Sequence, residues 1–210
     1  MFGIHDLPLF VISGLLLNIL PGPDSLLIMT RSATQGWRAG VAATMGICTG
    51  TMVHVLAAAV GLSAILATSA TAFMAVKYVG AAYILYMALG LLLSKRKDAA
   101  AAATIPPLPY RKIFAQGLLT NVLNPKVALF FLAFVPQFID AGAASKPLAF
   151  VILGCIFNFN GMLWSVFLAV FTGLASARLK VAPGVALWLN RVTGGLFVWL
   201  GIKLALSKQH

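Results

Sequence analysis

The chain has 210 residues, 61% of them hydrophobic and only 9% charged, with a mean hydropathy of +0.99. A soluble domain carries about a quarter charged residues, and the apolar runs here reach the roughly 18–20 residues that cross a bilayer, so the composition excludes a soluble globular protein. The net charge of +11 does not indicate a nucleic-acid partner, because the basic residues fall between apolar runs, where cytoplasmic loops of membrane proteins are rich in Lys and Arg.

The apolar pattern predicts six spans, at 7–30, 40–66, 71–94, 112–137, 147–174 and 185–207. The opening "MFGIHDLPLF" has no positively charged region and no Ala-x-Ala-like site after its apolar run, so it reads as an uncleaved first helix. Within span one lies "NILPGPDSLLIM" (18–29). A proline has no N–H and clashes with the carbonyl four residues back, so Pro21 frees the carbonyl of Leu17 and Pro23 that of Ile19. Gly22 lets the backbone leave the helix at little cost. Asp24 follows at once, the only acid well inside a span; the chain has no Glu. Ionisable groups inside membranes are costly and mark function. Asp24 is therefore a candidate for binding a substrate ammonium and for carrying a coupling proton, and it also suits the N-cap of the half-helix restarting after Pro23.

Span two carries Gly46, Gly50, His54, Ala57 and Gly61 at steps of three or four. That is one small-residue stripe, which permits close helix packing within a protomer or across a homodimer. His54 lies on the stripe, as a hydrogen-bonded packing residue or a second candidate for proton coupling. Cys48 and Cys155 fall inside spans two and five with no Cys-x-x-Cys motif and read as small packing residues. After span three comes "SKRKDAAAAATIPPLPYRK" (94–112), charged, alanine-rich and proline-rich. It divides the chain into a first three-helix unit (1–94), a cytoplasmic linker (95–111) and a second three-helix unit (112–210). Span four holds Asn121, Asn124, Pro125 and Lys126. Pro125 frees the carbonyl of Asn121, and Lys126 is placed either to pair with Asp24 or to meet a substrate carboxylate. Asn158 and Asn160 in span five cannot share one helical face.

Three spans per half is an odd number, so an internal repeat would be inverted in the membrane. "SGLLLNILPGPD" (13–24) aligns with "QGLLTNVLNPKV" (116–127) at a constant offset of 103, with Gly, Asn and three Leu matched. "VGAAYILYM" (79–87) echoes "TGGLFVWLG" (193–201) more weakly. The predicted fold is thus an all-α integral membrane protein, six transmembrane helices as a 3+3 inverted repeat with Pro-broken helices 1 and 4. Inverted repeats with discontinuous helices near the midplane are the pattern of secondary transporters. The span ends near Arg31, Arg38, Lys95–Lys97, Arg111, Lys112, Arg178 and Lys180 hold nine basic residues, against four (Lys77, Lys146, Lys203, Lys208) on the other side. This places both termini outside the cytoplasm.

In hydrocarbon, freed backbone groups need partners. Freed carbonyls suit an ammonium, and the N-terminus of a restarted helix suits a carboxylate, so a broken helix can hold both ends of a zwitterion. The sequence therefore predicts a transporter of a small zwitterion, with protons or another ion as coupling partner and no cofactor or metal. The alternatives are a cation or metal exporter, which wants several carboxylates or His, and an intramembrane enzyme, for which Asp24 and His54 are the sole candidates.

The stretch "NILPGPDSLLIMTRSATQGWRAGVAATMGICTGTMVHVLAAAVGL" resembles the N-terminal half of the lysine exporter (LysE/RhtB) family, and "NPKVALFFLAFVPQF" and "GLFVWLGIKLAL" resemble its fourth and sixth spans. The motif positions that carry the likeness are Asn18, Pro21, Gly22, Pro23, Asp24, Gly46, Gly50, Asn121, Asn124 and Pro125. The resemblance implies an inner-membrane exporter of amino acids or their derivatives driven by an ion gradient, nearest to the homoserine/threonine branch. Many members carry an acid directly after the second glycine of the span-two motif. Here that position is Thr51, which argues against a dibasic cargo such as lysine.

Overall fold

The computed structural model describes residues 2–62, 70–93, 106–140 and 142–175, together with the single residues 191, 195, 198, 199 and 202. Among the described residues every regular segment is helical: α1 (Leu7–Ile19), α2 (Pro23–Gln35), α3 (Trp37–Ala57), α4 (Ala70–Leu92), α5 (Tyr110–Val122), α6 (Pro125–Leu129) and α7 (Lys146–Ala175). Most of span six, most of the linker, Arg178, Lys180, Lys203, Lys208 and most of the second copy of the weaker internal echo lie outside the described residues.

The prolines act where the sequence places them. α1 stops at Ile19 and α2 starts at Pro23, a proline at the first helical position where its missing N–H costs nothing; the two axes differ by 51°. The second break falls between α5 and α6, with Pro125 again first in the new helix and a bend of 46°. The N-cap of α2 is Gly22, in an extended conformation, and not Asp24, which sits in the first turn. α3 with its continuation to Leu62 (mean hydropathy 1.7) and α7 (1.8) are each long and apolar enough to cross a membrane. Each bent pair makes a further span if counted as one.

Two helices do not end as the hydropathy pattern predicts. α3 passes into a π-type stretch at Ala58–Leu62. α6 does so at Phe130–Phe134, then tightens to a 3-10 turn at Val135–Phe138. Pro136 cannot donate to the carbonyl of Leu132, so the regular ladder cannot run through this segment. Aromatic packing holds the irregular stretch in place. Phe130 stacks on Phe157 of α7 at 4.6 Å between centroids, and Phe138 meets Phe10 of α1 edge-on at 5.3 Å.

Contacts at both ends fix how the two broken spans run. At one end Ile4 and Ile139 form an antiparallel bridge, and the Asp140 N–H donates to the Gly3 carbonyl at 2.8 Å. At the other, Arg31 in the second half of α2 donates to Gln116 Oε1 (2.9 Å) in the middle of α5 and to the carbonyl of Pro106 (3.4 Å), which precedes α5. The beginning of each broken span thus lies beside the end of the other.

α3 packs tightly on α5 because small residues remove the side chains between them. A Cβ on Gly46 would collide with the Phe114 carbonyl, and one on Gly117 with the Ala43 carbonyl. At Gly50 a Cβ would stand 2.9 Å from Asn121 Cβ. Gly61, further along the stripe, is exposed, and among the described residues a Cβ there would meet nothing within 4 Å. Among the described residues the close approach of α3 to α5 ends with the turn holding Gly50.

Candidate functional site

The two helix breaks meet, and the polar residues beside them bond to one another. Asp24, in the first turn of α2, accepts at Oδ2 from Asn121 Nδ2 and from Asn124 Nδ2, both at 2.9 Å. These amides come from the last turn of α5 and from the N-cap of α6. Both are almost wholly buried, at 1% and 2% exposure. Asn124 also caps its own helix, with Oδ1 accepting from the Lys126 N–H at 3.0 Å. One asparagine thus starts α6 and grips the carboxylate of the other half of the chain.

Asn121 lies at the centre. Thr51 Oγ1 donates to its Oδ1 (3.3 Å) while also reaching the Ile47 carbonyl (3.2 Å). These bonds fix the amide orientation that points Nδ2 at Asp24. The main-chain oxygen of Asn121, one of the carbonyls freed by a proline, meets His54 Nε2 at 3.0 Å. A carbonyl only accepts, so Nε2 carries the hydrogen. The His54 ring lies parallel to Phe131, 6.3 Å between centroids.

Lys126 does not pair with Asp24. Its Nζ instead donates to the carbonyls of Leu17 and Leu20, at 3.1 Å each. Among the described residues the ion pairs are those of His5 with Asp6 and Asp140, far along the chain from both. The carbonyl that Pro21 frees therefore has a partner, and it is the chain's own ammonium. Gly22 leaves room for it, since a Cβ there would stand 3.2 Å from Lys126 Nζ.

Beside this network lies a cavity of about 30 Å³. Asn18, Asp24, Thr51, Asn121 and Lys126 face it, and so do Ser25, Cys48, Phe157, Asn158, Gly161 and Ser165. Two of its lining groups are buried and have no hydrogen-bond partner among the described residues: Asp24 Oδ1 and Asn18 Nδ2. Buried polar atoms are nearly always paired, so a free acceptor and a free donor on one small cavity stand out. Gly161 permits Asn18 its position; a Cβ there would be 3.0 Å from Asn18 Oδ1.

The structure thus gathers Asn18, Asp24, Asn121, Asn124 and Lys126, with His54 behind Asn121. Pro21, Pro23 and Pro125 contribute by breaking the helices. Asn160 is not among the residues facing the cavity, whereas Asn158 is. The sequence reading does not single out Ser25, Phe157, Gly161 and Ser165 for the cavity, because one residue per helical turn carries no signal until the facing helix is known. Arg31 is another departure. It stands in the sequence as a basic flank, yet it is 6% exposed and bonded to Gln35 and Gln116. Gln35 in turn holds both polar main-chain atoms of Leu108 at 3.0 Å.

Paired helix breaks joined by a buried carboxylate, amides and an ammonium, in a chain with membrane-length helices, define a membrane transport protein. Comparison with known families makes this specific. The chain matches the LysE type translocator family over residues 15–208, and it belongs to that family. It is 34% identical to an uncharacterized membrane protein of Pseudomonas aeruginosa, over 97% of this chain and 96% of that one. It is 31% identical to the uncharacterized membrane protein YrhP of Bacillus subtilis, over 97% and 100%. With the leucine efflux protein of Salmonella typhimurium it shares 26% identity over 97% and 96%. No solved structure matches it.

Proposed function

We propose that the protein is a secondary exporter of neutral amino acids or close derivatives across the bacterial inner membrane, coupled to protons. The observation that carries this reading is the pair of unpartnered atoms on one cavity, Asp24 Oδ1 and Asn18 Nδ2. An amino acid brings the complement of each: an ammonium donates to Oδ1 and a carboxylate accepts from Nδ2. The first turn of α2 has no side-chain cap, so its positive end adds to the carboxylate's side. Asp24 is the carboxylate that exchanges cargo and proton. His54 holds the α5 end in place, and its hydrogen-bonded Nε2 gives it a smaller part in proton movement.

The inverted 3+3 repeat fits this reading. The broken spans run antiparallel and their breaks meet, as two copies related by an axis in the membrane plane would. A water-sized cavity is too small for an amino acid, so cargo enters only when the broken pairs or α7 move apart, as alternating access requires. The leucine efflux relative supports an aliphatic cargo, and Thr51, where many members carry an acid, supports a neutral one. A metal exporter is less well supported, because among the described residues no three His, Cys, Asp or Glu side chains come together.

The test is a panel of amino acids offered to everted vesicles, with and without a proton gradient. Neutral aliphatic or hydroxylated amino acids are expected to accumulate only with the gradient, and lysine not at all. Lysine accumulation overturns the assignment of a neutral cargo. Gradient-driven uptake of a divalent cation, with no amino acid moved, replaces the whole reading by the cation exporter.

A further inference from the structure

Lys126 sits in a place that its charge alone does not explain. It is near enough to Asp24 for the two charges to interact, yet the two make no ion-pair contact. Instead, its ammonium lies against the carbonyls of Leu17 and Leu20, at the C-terminal end of α1, where unsatisfied helix carbonyls carry partial negative charge. Leu17 O is open because Pro21 has no N–H to give it; Leu20 lies beyond the last turn of α1. The lysine that fills the gap is anchored in the first turn of α6, in the other half of the chain.

We propose that the main-chain oxygens of the α1 break form a monovalent-cation site, and that Lys126 occupies it as a tethered cation. The chain thereby supplies for itself the positive charge that such a break would otherwise take from solution. The ammonium also fastens the first broken span to the second, so the breaks separate only when the oxygens exchange Lys126 for another cation or for water. It follows that the wild-type protein needs no sodium or potassium at this point. A chain lacking the ammonium acquires a place for a free cation of the same chemistry. The site is distinct from the cargo atoms Asp24 Oδ1 and Asn18 Nδ2, and its test involves no cargo and no transport. Failure here leaves the exporter reading untouched, and failure of that reading leaves this one open to the same measurement.

Lys126→Ala removes three carbons and the nitrogen, the outline of n-propylammonium. The purified variant in detergent is expected to unfold at a lower temperature than wild type. Millimolar n-propylammonium is expected to raise its midpoint, n-propanol to have no such effect, and neither to move wild type. Equal stabilisation by propanol would show that only a hole is being filled, and it overturns the proposal; so does no stabilisation by either. Lys126→Met keeps an apolar stem but leaves both carbonyls without a donor, and it serves if the alanine variant is not recovered folded. It is expected to be less stable than wild type, and a midpoint equal to wild type overturns the cation site.

Discussion

Asp24→Asn is expected to reduce gradient-driven export to the level of vesicles without the protein, while insertion and folding persist. The geometry separates the two outcomes. Asp24 Oδ2 accepts from Asn121 and Asn124, and a carbonyl oxygen in the same position accepts both bonds, since it offers two lone pairs. The junction of the two breaks is therefore kept. What changes is the atom facing the cavity. Oδ1, an acceptor carrying part of a negative charge, becomes an NH2 donor that repels an ammonium and cannot take up or release a proton near neutral pH. Fluorescence-detected gel filtration of the variant should give the wild-type peak, and accumulation in everted vesicles should be lost. Wild-type transport rates from Asp24→Asn would remove Asp24 from the mechanism. Loss of the folded peak would instead make the carboxylate a structural clasp. Asn18→Leu provides a second arm. It removes the unpartnered donor without touching the junction, so it should weaken amino-acid uptake and leave the folded peak unchanged.

The breaks themselves were legible because proline acts locally. The loss of an N–H at Pro21 or Pro125 follows from the residue alone, and the structure starts α2 and α6 at Pro23 and Pro125. The partners of the freed carbonyls were not legible in the same way. Leu17 O is met by a lysine 109 positions on, and Asn121 O, besides a local bond from the Asn124 N–H, by a histidine 67 positions back. Such pairings depend on how the broken spans cross. Contact between Asp24 and Lys126, one of the two placements the sequence left open, is not made for this reason: charges one position apart in the repeat alignment suggest proximity, but the ammonium bonds to main-chain oxygens. Asn121 and Asn124 were identifiable as motif positions, whereas their grip on one carboxylate oxygen appears only in three dimensions. Arg31 illustrates the reverse failure. A basic residue at a span end normally reports sidedness, but here it is also bonded to Gln35, one helical turn on, and to Gln116, 85 positions away, and the second partner has no signal in the sequence.

The small-residue stripe of α3 supplies a contrast within one helix face. Gly46→Ala is expected to destabilise the protein by about 1–3 kcal/mol or more, the usual cost of overpacking a tight contact, because the added methyl meets a main-chain carbonyl. The backbone of α5 at Phe114 cannot rotate away as a side chain could. Gly117 on α5 makes the reciprocal contact with Ala43, so α5 must shift bodily. That shift carries Asn121 with it, and with Asn121 one of the two donors to Asp24. Export should therefore fall along with the unfolding midpoint. Gly61→Ala belongs to the same three-and-four pattern but meets open space. There the methyl lowers the entropy of the unfolded chain and improves helix propensity, so the midpoint should hold or rise by the equivalent of about 0.5–1 kcal/mol. Thermal unfolding of the two variants side by side checks both expectations. If both lose stability equally, the stripe packs over its whole length in the folded state, and the boundary drawn after Gly50 is misplaced. If neither does, α3 and α5 have slack that the main-chain contacts at Phe114 and Ala43 do not allow.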